Sequence, residues 1–259
     1  MLAIRSTTIV LAALSLGLIA CGGSEPSDVG NAGSSNAGGS GGGMGNDDAG
    51  AQGGQPGSPD AGLLRSYLPW QEGNTWTYRV TEAGVTSTKV TTVGALQAVG
   101  GTGPNADLQA NRVETTKGAT GMDLTVRWQR QVGERVLRYR EQSYSASTGD
   151  LELDEHWDPH KIHLDGTAEH TVADATWLEE YEETKLPVGA APEVAIARDR
   201  WTVIAVDEEV TVPAGTFSTL VLTKAGGTVL KTYYYARGVG KVKEEGTQTE
   251  ELESFEVAE

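Results

Sequence analysis

All four histidines of the chain, His156, His160, His163 and His170, fall in one window that also holds Asp154, Glu155, Asp158 and Asp165. Imidazole nitrogens and carboxylates are the donors that zinc and copper sites use, so a metal is the first chemistry this window suggests. The spacing argues against it. Ligands three or four residues apart share a face only on a helix, and Pro159 with strand-forming neighbours makes a helix a poor description of this stretch. On an extended strand, His160 and His163 point to opposite faces. The expectation is therefore four histidines on a wet strand and its turn, with metal-assisted hydrolysis at the cluster as the third-ranked functional reading.

The acidic pairs Glu179-Glu180 and Glu182-Glu183 read as a solvated strand face or loop. Asp154 and Glu155 are adjacent, so a strand sends them to opposite sides and they cannot flank a glycosidic bond together. A carboxylate pair assembled from distant strands stays open. No Gly-x-Ser-x-Gly elbow, Walker loop, dinucleotide fingerprint or His-Glu-x-x-His motif is found, so the expectation is a non-enzymatic chain without catalytic residues or cofactor. With Asp and Glu at 36 against 20 Lys and Arg, the net charge of -16 makes a nucleic-acid partner a poor fit.

Compartment is written at the start of the chain. Residues 1-20 carry an apolar run from Thr7 to Ala20, shorter than the roughly 20 residues that span a bilayer and followed by a long polar tract, which reads as a signal peptide. The run ends in Leu18-Ile19-Ala20-Cys21, which resembles the lipobox of bacterial lipoproteins. That resemblance implies acylation of Cys21 and attachment to the membrane. Gly22, rather than Asp, follows the cysteine, and by the same resemblance favours the outer membrane. Cys21 is the single cysteine, which leaves no intramolecular disulfide and no Cys-based zinc site.

Residues 21-62 form the lipidated cysteine and a tether of Gly, Ser, Asn, Ala and Asp that has too little apolar surface to offset its ordering entropy. A flexible coil of that length has an end-to-end distance of roughly 35 Å. Residues 63-259 are one domain's worth of chain, long enough for a core.

That domain reads as strands and turns. Glu72-Gly73-Asn74 is turn chemistry, and Trp76, Tyr78 and Val80 then share one face. Gly100-Gly101-Thr102-Gly103-Pro104-Asn105 is a loop. Met122, Leu124, Val126 and Trp128 alternate with Asp123, Thr125, Arg127 and Gln129, which predicts one buried and one wet face, with the apolar row lining the core of a curved sheet. Arg135 to Tyr144 returns as a hairpin partner, and Leu151 to Trp157 follows. Trp201, Val203 and Ala205 oppose Thr202, Ile204 and Val206, which predicts a central strand covered on both sides. No helix longer than about two turns is expected. The predicted fold class is all-β, a single curved antiparallel sheet, half-barrel or open barrel, of roughly ten strands.

Leu68-Pro69-Trp70 through Trp76-Thr77-Tyr78, Val212-Pro213-Ala214-Gly215-Thr216-Phe217, and Tyr235-Ala236-Arg237-Gly238-Val239-Gly240-Lys241-Val242-Lys243 together resemble a broad set of uncharacterised bacterial envelope lipoproteins. Such sequences look akin to the half-barrels of LolA/LolB-type lipoprotein carriers, which implies an antiparallel sheet around an apolar hollow. Two functional classes follow. One is a structural or interaction module of the envelope, with its sheet filled by its own aromatic side chains. The other is a carrier of a lipid, lipoprotein or other apolar ligand in the concave face.

Overall fold

The computed structural model describes residues 65-118, 123-226 and 229-258, and residues 1-64, with Cys21 and the tether, lie outside them. Twelve strands follow one another: β1 (Thr75–Glu82), β2 (Val85–Ala98), β3 (Gln109–Lys117), β4 (Asp123–Val132), β5 (Arg135–Tyr144), β6 (Leu151–Asp165), β7 (Thr176–Pro187), β8 (Glu193–Val212), β9 (Gly215–Gly226), β10 (Val229–Ala236), β11 (Gly240–Glu245) and β12 (Thr249–Glu256). The helical content among the described residues is one 3-10 turn at Ala168–His170. Every strand pairs with its neighbours in sequence, and β12 pairs antiparallel with β1 through Trp76↔Phe255 and Arg79↔Glu251, which shuts the sheet into an up-and-down barrel.

Two features correct the predicted half-barrel of roughly ten strands. The sheet is closed, because β1 and β12 are nearly the full domain apart in sequence and no local pattern reports their pairing. The strand the sequence hides most completely is β3. Its inward row, Asn111, Val113 and Thr115, is as mixed as its outward row, Ala110, Arg112 and Glu114, so it carries no apolar period. β6 is also longer than its predicted stretch, continuing through Asp158-Pro159 to Asp165.

In such a barrel alternate turns fall at the same end. The start of β1, the Pro213-Ala214 turn and the Arg237-Gly238-Val239 turn share one end, and residues 65-73 close it as a plug. Tyr67, Leu68 and Trp70 are buried there with Trp76, Val212, Ala236 and Leu252. Gly238 N donates to Ser66 O (2.8 Å), and Trp76 Nε1 donates to Val239 O (2.6 Å). Gly238 has φ +71°, and a Cβ there would come within 2.8 Å of Arg65 Cδ, so glycine meets both the turn and the close passage of the plug.

The period-2 run of β4 is real, but its sides are reversed. Leu124, Val126 and Trp128 face outward, into a second apolar cluster with Val99, Ala110, Leu137 and Tyr139; Met122 lies outside the described residues. The Gly-rich loop after β2 covers this outer patch. Asn105 Nδ2 donates to Trp157 O (2.8 Å) and Pro159 O (2.9 Å), and Arg140, stacked 4.6 Å above the Trp128 ring, donates to Val99 O (3.0 Å). Arg127 and Gln129, the row predicted to be wet, point into the barrel.

β8 is covered on one side only: Trp201 and Val203 are buried, while Ile204 is 52% exposed. The outer surface mixes ion pairs, such as the exposed Arg198–Glu180 and the half-buried Arg79–Glu251, with exposed apolar side chains such as Leu178, Ile196 and Ile204.

Candidate functional site

The barrel encloses a lumen of about 470 Å³. Its floor is the plug: Leu68, Trp70 and Trp76, with Trp70 stacked on Trp76 at 5.6 Å between ring centres. Above the floor the wall is polar. Seven cationic side chains line it, Lys89, Arg127, Arg138, Lys161, Lys224, Lys231 and Lys241, with four carboxylates, Glu141, Asp199, Glu244 and Glu250. Alternation places them: on each strand every second residue faces inward, and the bulges re-phase the rows. In β5 the extra residue is Tyr139, so Arg138 faces the lumen and Arg140 the outside. In β11 the extra residue is Val242, which lets both Lys241 and Glu244 face inward.

Buried charges persist only when paired and hydrogen-bonded, and here they form three networks. In the first, Lys241 is the hub. Its Nζ donates to Glu244 Oε2 and to Glu250 Oε2 (2.7 Å), while Lys231 holds Glu244 (2.8 Å) and Lys89 holds both oxygens of Glu250 (2.7 and 2.8 Å). Burial disfavours the Lys241 charge, but Glu244 and Glu250 override it and hold the ammonium well above its ordinary pKa. Burial likewise opposes ionisation of Glu250, yet Lys241 and Lys89 pull its carboxyl down to about 2. Lys89 goes the other way: burial, with the Lys241 charge beside it, lowers its ammonium to about 8.

In the second network Glu141 Oε2 accepts from Arg127 Nε (2.6 Å) and Arg138 Nη1 (2.9 Å). Burial works against that carboxylate, and the two guanidinium groups bring it down to about 2. Arg138 also contacts His163 Nδ1 (3.1 Å) and, with the Gln129 amide oxygen turned towards it, Gln129 (3.1 Å). The third network joins Lys224 to Asp199 (2.7 Å), which also accepts from the Tyr181 hydroxyl (2.8 Å). Beside it, Glu179 caps Ile162 N and accepts from Trp201 Nε1 (3.1 Å). The acidic pairs of β7 are thus divided. Glu179 is buried and Glu183 accepts from Trp157 Nε1 (3.0 Å), while Glu180 and Glu182 face solvent, which corrects the expectation of a wholly solvated face.

The four histidines disperse instead of converging. His156 is buried on the outer wall beside Asp154 (3.4 Å), packed under the Gly-rich loop. His160 meets the Tyr139 ring edge-on at 6.3 Å. His163 lines the lumen against Trp70 (5.6 Å), and burial, with Arg138 beside it, pushes its pKa well below the ordinary value. His170 stacks on Trp177 (3.9 Å) and bonds Asp165 (2.9 Å). The expected wet strand is corrected to four packed environments. His160 and His163 do face opposite sides, because they lie on one extended strand. Among the described residues no group of three or more His, Cys, Asp or Glu side chains is close enough to hold a metal ion.

Sheet register also creates a carboxylate pair that adjacency in sequence could not reveal, Glu141 opposite Glu155 across β5 and β6. Burial, reinforced by Glu141 and Glu183, raises the Glu155 carboxyl. Glu141 is occupied by two arginines, so the pair lacks a free nucleophile or base facing a free acid.

The lumen side chains were missed at the sequence level, although Arg127 and Gln129 alternate as cleanly as Val126 and Trp128. A period tells which residues share a face but not which face is enclosed. No protein-family model matches the chain, and no curated protein matches its sequence. Two solved structures are similar in fold. One is a provisionally assigned exported protein with a YmcC-like fold from Bacteroides fragilis, 13% identical, covering 74% of this chain and 99% of that one with a TM-score of 0.47. The other is a provisionally assigned lipoprotein from Parabacteroides distasonis, 14% identical, covering 75% of this chain and 100% of that one with a TM-score of 0.44.

Proposed function

We propose that the chain is an exported envelope protein, anchored through lipidated Cys21 in the outer membrane, whose barrel is a non-enzymatic binding module for a small polar solute. The observation that carries the binding reading is the lumen of about 470 Å³, lined by ionised side chains and floored by tryptophans. That volume is in the range of small-molecule sites. An acyl chain placed there would strip water from charged groups without giving them partners, which costs several kcal/mol per group, so the apolar-carrier alternative is disfavoured. The Leu18-Ile19-Ala20-Cys21 sequence supports the anchor. Binding is favoured over catalysis because the lumen carboxylates Glu141, Asp199, Glu244 and Glu250 each have a cationic partner.

Two measurements test this. Cys21→Ser should move the protein out of the membrane fraction or leave it unprocessed; wild-type levels in membranes at mature mass refute the anchor. Nile red, a neutral apolar dye, should show no saturable binding to the native protein. Stoichiometric binding competed by lipid would restore the carrier reading.

A further inference from the structure

We propose that the solute held in the lumen is anionic, a small molecule bearing a phosphate or carboxylate group, bound where Lys161 and Lys224 face the cavity. This rests on the polar-solute reading above and adds the sign of the charge and the residues that meet it.

The polar groups of the lining that lack a hydrogen-bond partner among the described residues include two donors. Trp70 is 6% exposed and lines the floor, and its indole N–H is unpartnered. Lys161 lines the wall, and the carboxylate nearest its ammonium, that of Glu183, lies 3.7 Å away, beyond hydrogen-bond reach. Lys224 has three N–H groups and one close carboxylate, Asp199 at 2.7 Å, with Glu179 at 4.0 Å. Spare donors call for an acceptor-rich guest.

The charge balance points the same way. The net charge of the chain is -16, yet the cavity lining holds seven cations against four carboxylates. Two more acids stand just behind the wall, Glu179 at 4.0 Å from Lys224 and Glu183 at 3.7 Å from Lys161, and they reduce the excess; but Glu179 accepts from Ile162 N and Trp201 Nε1, and Glu183 from Trp157 Nε1 and Lys185 (3.1 Å), so neither hydrogen-bonds the lysine it faces. Lys161 also sits 5.1 Å from the ring centres of both Trp157 and Tyr181, and Lys224 lies 4.6 Å above Trp201, so aromatic faces fix both ammonium groups. An anion between them gains charge-assisted hydrogen bonds without the ordering of a flexible side chain.

The test titrates the full chain, in chloride buffer free of phosphate, with glucose 6-phosphate, glucuronate and glucose, and follows tryptophan fluorescence and calorimetric heat. Saturable one-site binding of an acidic sugar, with glucose at least tenfold weaker, is the expected result, and the better of the two acids distinguishes phosphate from carboxylate. Lys161→Met should weaken that binding tenfold or more with an unchanged melting temperature. Lys224→Met provides the same reading if the first variant unfolds, and Arg79→Met on the outer wall should bind as wild type. Glucose binding as tightly as both acids would overturn the anionic inference while leaving the polar lumen standing. Failure of both acids to bind, or undiminished binding in both lysine variants, would overturn it as well. Saturable Nile red binding would instead remove the reading beneath it.

Discussion

Replacing Lys241 by Met removes one ammonium from two buried carboxylates and leaves the volume nearly unchanged. Both acids keep a second cation: Lys231 remains 2.8 Å from Glu244, and Lys89 remains at 2.7 and 2.8 Å from Glu250. Breaking a buried ion pair by deleting one partner costs about 3–5 kcal/mol, and the remaining lysines put this variant towards the lower end. The pH dependence is the sharper signature. Glu250 is held at about 2 in the folded protein against 4.5 when free, so its contribution is complete above pH 4.5 and is lost as the pH falls towards 2. Without Lys241 the folded pKa values of Glu244 and Glu250 rise, and protonation relieves the uncompensated charge as the solution is acidified. The stability deficit should therefore be largest at pH 7 and shrink by pH 4. Urea denaturation of both proteins at the two pH values, with unchanged m, measures it. A deficit under about 1 kcal/mol at pH 7, the size expected of a surface pair, or one that widens on acidification, refutes the reasoning.

Trp70→Ala should cost about 3–5 kcal/mol, because it empties the floor of the barrel where Trp70 stacks on Trp76; a melting temperature within a degree of wild type would show that the plug is not part of the core. Gly103→Ala should destabilise by about 1–3 kcal/mol, since its Cβ would come within 2.6 Å of His156 Nδ1 under the outer loop. No change on thermal melting would mean that the loop does not seat against the wall. Zinc at micromolar concentration should leave the melting temperature in place, as the four histidines are in separate environments. Native-state binding at a hundredfold over its dissociation constant would add about 2.7 kcal/mol and contradict that dispersal.

The antiparallel β class was legible in the sequence because strand periodicity and turn chemistry are local. Trp76, Tyr78 and Val80 share one buried face as their spacing requires, and Gly215 and Gly238 take the positive φ that their turns demand. The loop at Gly100 to Asn105, the scarcity of helix and the opposed faces of His160 and His163 were readable for the same reason. Closure was not, because the β1–β12 pairing joins residues 168 to 181 positions apart, from Thr81↔Thr249 to Thr75↔Glu256. β3 stayed hidden because a strand between a polar lumen and a polar exterior carries no apolar alternation.

The lumen itself was decided only in three dimensions. The sequence determines that Arg127 and Gln129 lie opposite Val126 and Trp128, but hydrophobicity alone sends the wrong row inward. Tertiary structure reverses that assignment by laying the Gly-rich loop over the apolar row and by gathering the cationic and acidic side chains of many strands inside one ring, where the four carboxylates each find a cation from elsewhere in the chain. A charged residue is stable inside only when its partner is already in place, and partners supplied by pairing between distant strands leave no trace in the local spacing of either.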